Sequence, residues 1–468
     1  MSREGNLLKN TIILSIGTFF PKLVSVVTLP ILTGYLSKSE FGSYDLITTM
    51  VSLFLPIITL QIQSAAFRFL IEKRDDREAV DSIVTNILMF TAPISVAALI
   101  ILYLFMPGVS AVGRVLICIY YFFDIIYVAL QQVTRGLSYN LTYSISAIIL
   151  SSTNLILTVL LVWKLSNGLN GVLIAMAVSY AFGCIFLAYK IRDKWTFKPS
   201  LFSFKEIKRM LAYSWPMVFN NLSSWVLRLS DRLVITAFLG ITANAVYAVA
   251  CKIPNLLSMV QSTFTMAWQE NATIASQDDD ASSYYESMYD NMYGIISGFT
   301  ALLIAATPIL FFLLIRGDYD DAYVQMPLLF LGMMFCCLSA FQGGIYVAYM
   351  RTKEVGITTV IAAVINLLID LLLVKVIGIT AGSISTLISY LALTIYRMYD
   401  VNKFVKIKYN YPKILLILAV LIVMCVLCSF NVLWINIVNF VIGCTLAFVI
   451  NKNIIFNAKN IILKKLKK

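Results

Sequence analysis

The sequence predicts an all-α integral membrane protein of about fourteen transmembrane helices, forming two six-helix lobes around a central cavity with two additional C-terminal helices. Three observations predict it. Of 468 residues, 60% are hydrophobic and only 13% are charged, where a soluble chain carries about 25% charged residues. Mean hydropathy is +0.86 and the apolar runs recur from end to end. The third observation is that the chain restarts near its middle.

A spanning helix needs about 20 mainly apolar residues. Fourteen stretches meet that need: 11–35, 43–70, 82–105, 114–135, 141–162, 169–190, 209–238, 244–270, 286–315, 323–350, 356–375, 379–399, 413–430 and 434–451. Only "SFNVLW" separates the last two. The first stretch follows a polar, basic start, is too long for a cleavable leader and has no small-residue cleavage site, so it reads as a retained helix. The longest connection, Lys190 to Lys208, is too short for an extramembrane domain, which needs at least ~50 residues. The expected organisation is an N-terminal lobe at 1–190, a basic cytoplasmic linker at 191–208, a C-terminal lobe at 209–400, and two further helices with a basic tail at 401–468.

Lysine and arginine in the loops set orientation. With the N-terminus inside, outer loops hold only Lys38, Arg114, Lys164, Arg316 and Lys375, and inner loops and tails hold 26 basic residues. Both termini are therefore expected in the cytoplasm. The tail "KNIILKKLKK" reads as an orientation signal lying near anionic lipid.

Several chemistries are excluded. The chain has no histidine, which removes Ser–His and Cys–His nucleophile pairs. Its eight cysteines all fall in apolar segments, where a free thiol behaves as a small hydrophobe. Cys425 and Cys428 have CxxC spacing but no second pair. No GxxxxGK[ST] loop is present, so direct ATP use is not expected. No cofactor, metal or nucleic-acid partner is implied.

The restart shows at an offset of 203 residues. "ILTGYLSKSEFGSYDL" (31–46) faces "VITAFLGITANAVYAV" (234–249), pairing Thr33 with Thr236, Leu36 with Leu239 and Tyr44 with Tyr247. In both copies a long helix meets a tight outer turn and a second helix. Six helices per unit is an even number, so the repeats are parallel, related by an axis along the membrane normal.

Apart from the basic residues counted with the loops and tails, five remain within the spans: Lys22, Arg68, Arg228, Arg232 and Lys252. At 100° per residue, Thr11, Ser15, Thr18, Lys22 and Ser25 share one stripe of the first span. Asn220, Ser224, Arg228, Asp231 and Arg232 share another on the seventh, where Asp231 can pair with Arg228 at i, i+3. Lys252, Asn255, Ser262 and Thr263 line the eighth. Arg68 lies off the polar stripe of the second span, which holds Asp45, Thr48, Thr49, Ser52, Thr59 and Gln63. Tyr120, Asp124, Tyr127, Gln131 and Arg135 line the fourth span, with the tyrosines expected to offer flat faces to sugar rings. Asn366 and Asp370 lie on the eleventh.

A Lys or Arg at mid-bilayer costs about 2.5–3.5 kcal/mol even on the insertion scale. Such groups persist where they face water or a partner. Lys22, Arg228, Arg232 and Lys252 against Asp124, Asp231 and Asp370 leave a slight positive excess. The reading is a hydrated cavity for an anionic group; phosphate or pyrophosphate suits it, since Arg grips phosphate with paired donors and Lys as a point charge.

The opening "LLKNTIILSIGTFFPKLVSVVTLPILTGYLSKSEFGSYDLITTMVSLFLPIITLQIQSAAFRFL" resembles the start of Wzx-type polysaccharide flippases, members of the multidrug/oligosaccharidyl-lipid/polysaccharide (MOP) exporter superfamily. "YSWPMVFNNLSSWVLRLSDRLVITAFLG" is similar to that family's second-half start. The resemblance implies a MATE-like fold and a transporter, not an enzyme. It implies an undecaprenyl-pyrophosphate-linked oligosaccharide as cargo, for capsule, O-antigen or a similar polymer. It places the protein in a bacterial cytoplasmic membrane, beside a polysaccharide polymerase and chain-length machinery. By helix and depth, Lys22, Arg228 and Lys252 match the pyrophosphate-holding basic residues of related lipid II flippases. Asp124 and Asp370 are candidates for a coupling cation. The competing readings are a MATE-like drug or cation antiporter, which would want an acidic cavity, and a membrane-embedded polymerase or glycosyltransferase, which would want longer outer loops.

Overall fold

A computed structural model describes residues 3–104 and 109–466. It is all-helical, with no strand among the described residues. The helices are α1 (Arg3–Tyr35), α2 (Lys38–Thr59), α3 (Ile62–Lys73), α4 (Arg77–Leu104), α5 (Ala111–Gly136), α6 (Asn140–Thr158), α7 (Gly168–Ile191) and α8 (Phe204–Leu239). They continue as α9 (Ile241–Lys252), α10 (Leu257–Ala275), α11 (Ala281–Leu314), α12 (Asp320–Ala348), α13 (Thr352–Ile377), α14 (Thr380–Val401), α15 (Tyr411–Ser429) and α16 (Leu433–Leu466). The fourteen expected spans all find a counterpart, two of them divided. Among the described residues, eleven helices are long and apolar enough to cross a membrane, α6 being extended by a π-helical stretch to Lys164. α8 and α14 are long enough but more polar.

The second span divides at Leu60 and Gln61. Both adopt left-handed backbone, at φ 47° and 57°, which ends α2 and re-aims the chain into α3. The eighth divides at Pro254, whose ring cannot continue the α9 ladder; one 3₁₀ turn, Pro254–Leu256, leads into α10. The start of α2 is set by a capping box. Ser37 Oγ accepts from the Glu40 N–H while Glu40 Oε2 accepts from the Ser37 N–H at 2.9 Å, satisfying two end donors at once. Glu40 Oε1 also accepts from Leu169 N at 3.1 Å, tying this turn to the start of α7.

The chain divides into two compact units, Met1–Trp225 and Val226–Lys468, with the division inside α8. In the first, α5 packs on α7, α3 and α4, and α6 packs on α7 and α1. In the second, α12 packs on α14, α10 and α11, and α13 packs on α14. Shifting α3 to α7 by seven places gives α10 to α14 in the same pairings, so for these helices the repeat extends from sequence to packing. The core of the first unit is built by Ile62, Ala66, Leu70, Val84 and Leu187, all fully buried.

The two C-terminal helices belong to the second unit. α16 lies along α11 through small residues on both sides: Gly294 and Gly298 on α11, Gly443 and Ala447 on α16. A methyl group on Gly443 would stand 2.8 Å from Ala305 Cβ, so the backbones touch as in small-xxx-small helix pairs. Asn451 Nδ2 donates to Gly294 O at 3.0 Å, and Lys413 at the head of α15 pairs with Asp290 at 3.1 Å.

Candidate functional site

The polar residues of each unit form their own constellation. In the first unit, Lys22 is half-buried on α1, directly after Pro21, and Ser25 Oγ donates to Lys22 O at 2.7 Å. The side chain of Thr11, like those of Ser262 and Thr263, lies outside the described residues. Asn220 is exposed and Ser224 half-buried on α8. Arg68 stands on the exposed side of α3 and pairs with Glu72 at 2.7 Å, both about half exposed. This is an i, i+4 pair on a short helix, a much blander setting than a charge within a continuous span.

The α5 tyrosines do not present open faces. Tyr120 and Tyr127 are 3% and 5% exposed. Their rings meet Tyr180 of α7 edge-on, with centroids 5.4 and 5.5 Å apart. Tyr127 Oη accepts from Gln131 Nε2 at 2.7 Å and hydrogen-bonds Ser146 Oγ at 3.2 Å. The physical reason is helix packing: this face of α5 is the one applied to α7. Gly183 makes the room, since a methyl group there would stand 2.7 Å from Tyr127 Cε2. Asp124 is buried on the same face.

In the second unit the stripe carrying Arg228, Asp231 and Arg232 changes character within one turn: Arg228 is exposed, while Asp231 and Arg232 are buried. Asp231, expected to face Arg228, has its Oδ2 engaged by the Tyr247 hydroxyl of α9 and by Thr386 Oγ1 of α14, the latter at 3.1 Å. Lys252 is half-buried as the last residue of α9, and Asn255 is exposed in the turn that follows.

Asp370 of α13 lies beside this group. Its Oδ1 accepts from Ser385 Oγ at 2.7 Å, Asn366 Nδ2 donates to Ser385 Oγ at 3.2 Å, and Ser230 Oγ lies 3.3 Å from Asn366 Oδ1. Ser385 and Thr386 are consecutive, so α14 hands one hydroxyl to each carboxylate. Asp231 and Asp370 are 3% and 1% exposed, and one oxygen of each, Asp231 Oδ1 and Asp370 Oδ2, makes no hydrogen bond. A buried carboxylate is costly unless its charge is met, so the cluster can hold a proton or a cation.

Sequence reading missed the α14 members of this network, and Arg397. Charge counting places that arginine with the inner loop that follows the twelfth span; it lies inside α14 at 4% exposure. The signal was available: Ser383, Thr386, Tyr390 and Arg397 recur at helical spacing along α14 and all are buried.

The family model for polysaccharide biosynthesis proteins matches residues 7–269, more than half of the chain. The chain belongs to the polysaccharide biosynthesis protein family. This family member shares its fold with the lipid II flippase MurJ in an inward closed conformation, with a TM-score of 0.75 at 16% identity, covering 96% of this chain and 100% of that one. An inward-facing multidrug resistance MATE family transporter of the MOP superfamily matches with a TM-score of 0.63 at 15% identity, covering 82% and 98%. A MOP superfamily transporter from Pyrococcus furiosus matches at 0.59 and 13% identity, covering 84% and 95%. An uncharacterized membrane protein of Methanocaldococcus jannaschii is 24% identical over 261 residues, 53% of this chain and 50% of that protein. The match thus spans half the length of that curated relative. The MOP fold expected of the family member is the one observed.

Proposed function

We propose that the protein is a flippase that moves an undecaprenyl-pyrophosphate-linked oligosaccharide from the inner to the outer leaflet of a bacterial cytoplasmic membrane, by alternating access, for surface polysaccharide assembly. The observation that carries this reading is the joint one. A member of the polysaccharide biosynthesis family, with a fold shared along 96% of its length with a lipid II flippase, keeps Lys22, Arg228, Arg232 and Lys252 in helices of its membrane bundle. Fixed cations in a low-dielectric setting suit a pyrophosphate. In this reading Lys22, Arg228 and Lys252 hold the pyrophosphate, Asp370 and Asp231 take the coupling cation, and both termini are cytoplasmic. Transport without catalysis is expected, with polymerase and chain-length proteins receiving the cargo.

The test replaces Lys22 and Arg228 by Ala, singly and together. Surface polymer and inner-leaflet lipid-linked oligosaccharide are then measured in cells. Loss of polymer with accumulation of the intermediate supports the reading. Normal polymer in the double variant would remove these residues from the site, and glycan elongation by the purified protein would replace transport by catalysis.

A further inference from the structure

The connection between α7 and α8, with the first residue of α8, turns large aromatics outward. Phe197, Phe202 and Phe204 are 48%, 45% and 75% exposed. Exposed aromatics of this size in a loop need a reason, because each keeps apolar surface in contact with whatever surrounds it.

The loop is held in this shape by α4. Asp81, wholly buried, accepts from Thr196 N at 2.6 Å and pairs with Lys198 Nζ at 2.8 Å and Arg77 Nε at 3.3 Å. Thr85 Oγ1 accepts from Lys198 N at 3.2 Å. Asn86 closes the strap at its α8 end, its Oδ1 accepting from Ser203 N at 2.7 Å and its Nδ2 donating to Leu201 O at 2.9 Å. The helix side supplies the polar atoms that the loop backbone needs, which leaves the three phenyl rings on the far side.

The same segment is basic. Residues 190–209 hold seven lysines and arginines against Asp193 and Glu206. Two of the cations rest on aromatic faces, Arg192 over Tyr189 at 4.3 Å and Arg209 over Phe69 at 4.7 Å, and Lys205 and Lys208 are exposed. The loop joins the ends of two helices of the membrane bundle, so it sits within reach of the headgroup layer. Aromatic rings with an apolar body flanked by lysines are the chemistry of that layer, and anionic headgroups attract clustered basic residues next to spans.

We propose that the strapped α7–α8 loop is an interfacial anchor, with Phe197, Phe202 and Phe204 seated among the lipids and Lys205, Lys208 and Arg209 on anionic phospholipid headgroups. The proposal rests on the membrane bundle alone and stands apart from the cargo.

The full-length protein is reconstituted into phosphatidylcholine vesicles with or without phosphatidylglycerol, using lipids brominated near the headgroup end of the acyl chain. Phe202→Trp and Phe204→Trp add a reporter at exposed positions where the fold tolerates a large ring. The added emission is expected to be quenched severalfold by brominated lipid, more in phosphatidylglycerol vesicles, and to be shielded from acrylamide. Lys205→Glu with Lys208→Glu is expected to abolish the phosphatidylglycerol preference. Quenching by acrylamide but not by lipid would place the loop in water and overturn the proposal. Shielding from both would mean a protein covers it, and overturns it equally.

Discussion

Gly382 of α14 lies against the phenol ring of Tyr247 so closely that a methyl group on it would stand 2.8 Å from Tyr247 Cζ and 3.0 Å from the hydroxyl oxygen. That hydroxyl donates to Asp231. The glycine therefore lets an aromatic side chain reach a buried carboxylate. Gly382→Ala is expected to push the ring aside and cost about 1–3 kcal/mol, the usual range for overpacking. Tyr247→Phe should cost about 1–3 kcal/mol through the lost donor. The two changes share one cause, so in the double variant they should fall short of additivity. Thermal unfolding of the four proteins in detergent checks this.

Asp231 and Asp370 receive adjacent hydroxyls of α14 and each keeps one oxygen without a hydrogen bond. Asp370→Asn preserves shape and removes charge. If the cluster holds the coupling cation, this change is expected to lower transport tenfold or more while the melting temperature moves by only a few degrees. Ser385→Ala keeps both carboxylates and should weaken cation dependence less. Flux of lipid-linked oligosaccharide under imposed sodium or proton gradients separates the two. Unchanged cation dependence in Asp370→Asn would assign the cluster to packing.

How much of this was legible in the sequence depended on which force shapes each feature. Hydropathy is summed along the chain, so fourteen spans could be read and every one has a helical counterpart. The break at Leu60 and Gln61 was invisible because neither residue favours left-handed backbone; tertiary packing imposes it, and with it the exposed place of Arg68. The stripe on α5 was read correctly as polar, but periodicity cannot say whether a polar face meets water or another helix. Tyr180 of α7, far away in sequence, decides that Tyr120 and Tyr127 are packed. Arg397 escaped because it stands near a helix end, where counting charges assigns it to a loop.

The α11–α16 contact offers a stability test away from any site. A methyl group on Gly298 would stand 2.6 Å from Asn451 Nδ2 and 3.3 Å from Ala447 Cα. The nearest atom ends a side chain that could move, but the second is backbone. Gly298→Val is therefore expected to cost about 1–3 kcal/mol and to loosen α16. Asn451→Ala removes the bond to Gly294 O and should cost about 0.6 kcal/mol, typical of interhelical bonds in bilayers. Protease cleavage of the C-terminal helix, followed with time, reports the loosening; equal resistance in Gly298→Val would mean the contact adapts without strain.

Arg397 presents the sharpest case of a charge whose chemistry is all in its hydrogen bonds. Nε donates to Thr358 Oγ1 at 3.0 Å, Nη1 to Ser339 O at 2.8 Å, and Nη2 lies 3.1 Å from Val355 O, 2.9 Å from Thr358 Oγ1 and 3.1 Å from Thr359 Oγ1. One planar group on α14 thus joins α12 and α13, and every acceptor is neutral. A lysine carries three donors on one atom and cannot span the same acceptors. Arg397→Lys is expected to lose most of the bridging and cost about 2–3 kcal/mol, on the scale of charged hydrogen bonds left unmade. Gly343→Ala is the companion variant, since its methyl would meet Nη1 at 3.3 Å, a contact that a few tenths of an ångström relieves; its cost should be smaller. If detergent melting curves show Arg397→Lys as stable as the parent while Gly343→Ala is not, the fork geometry is not what holds these three helices.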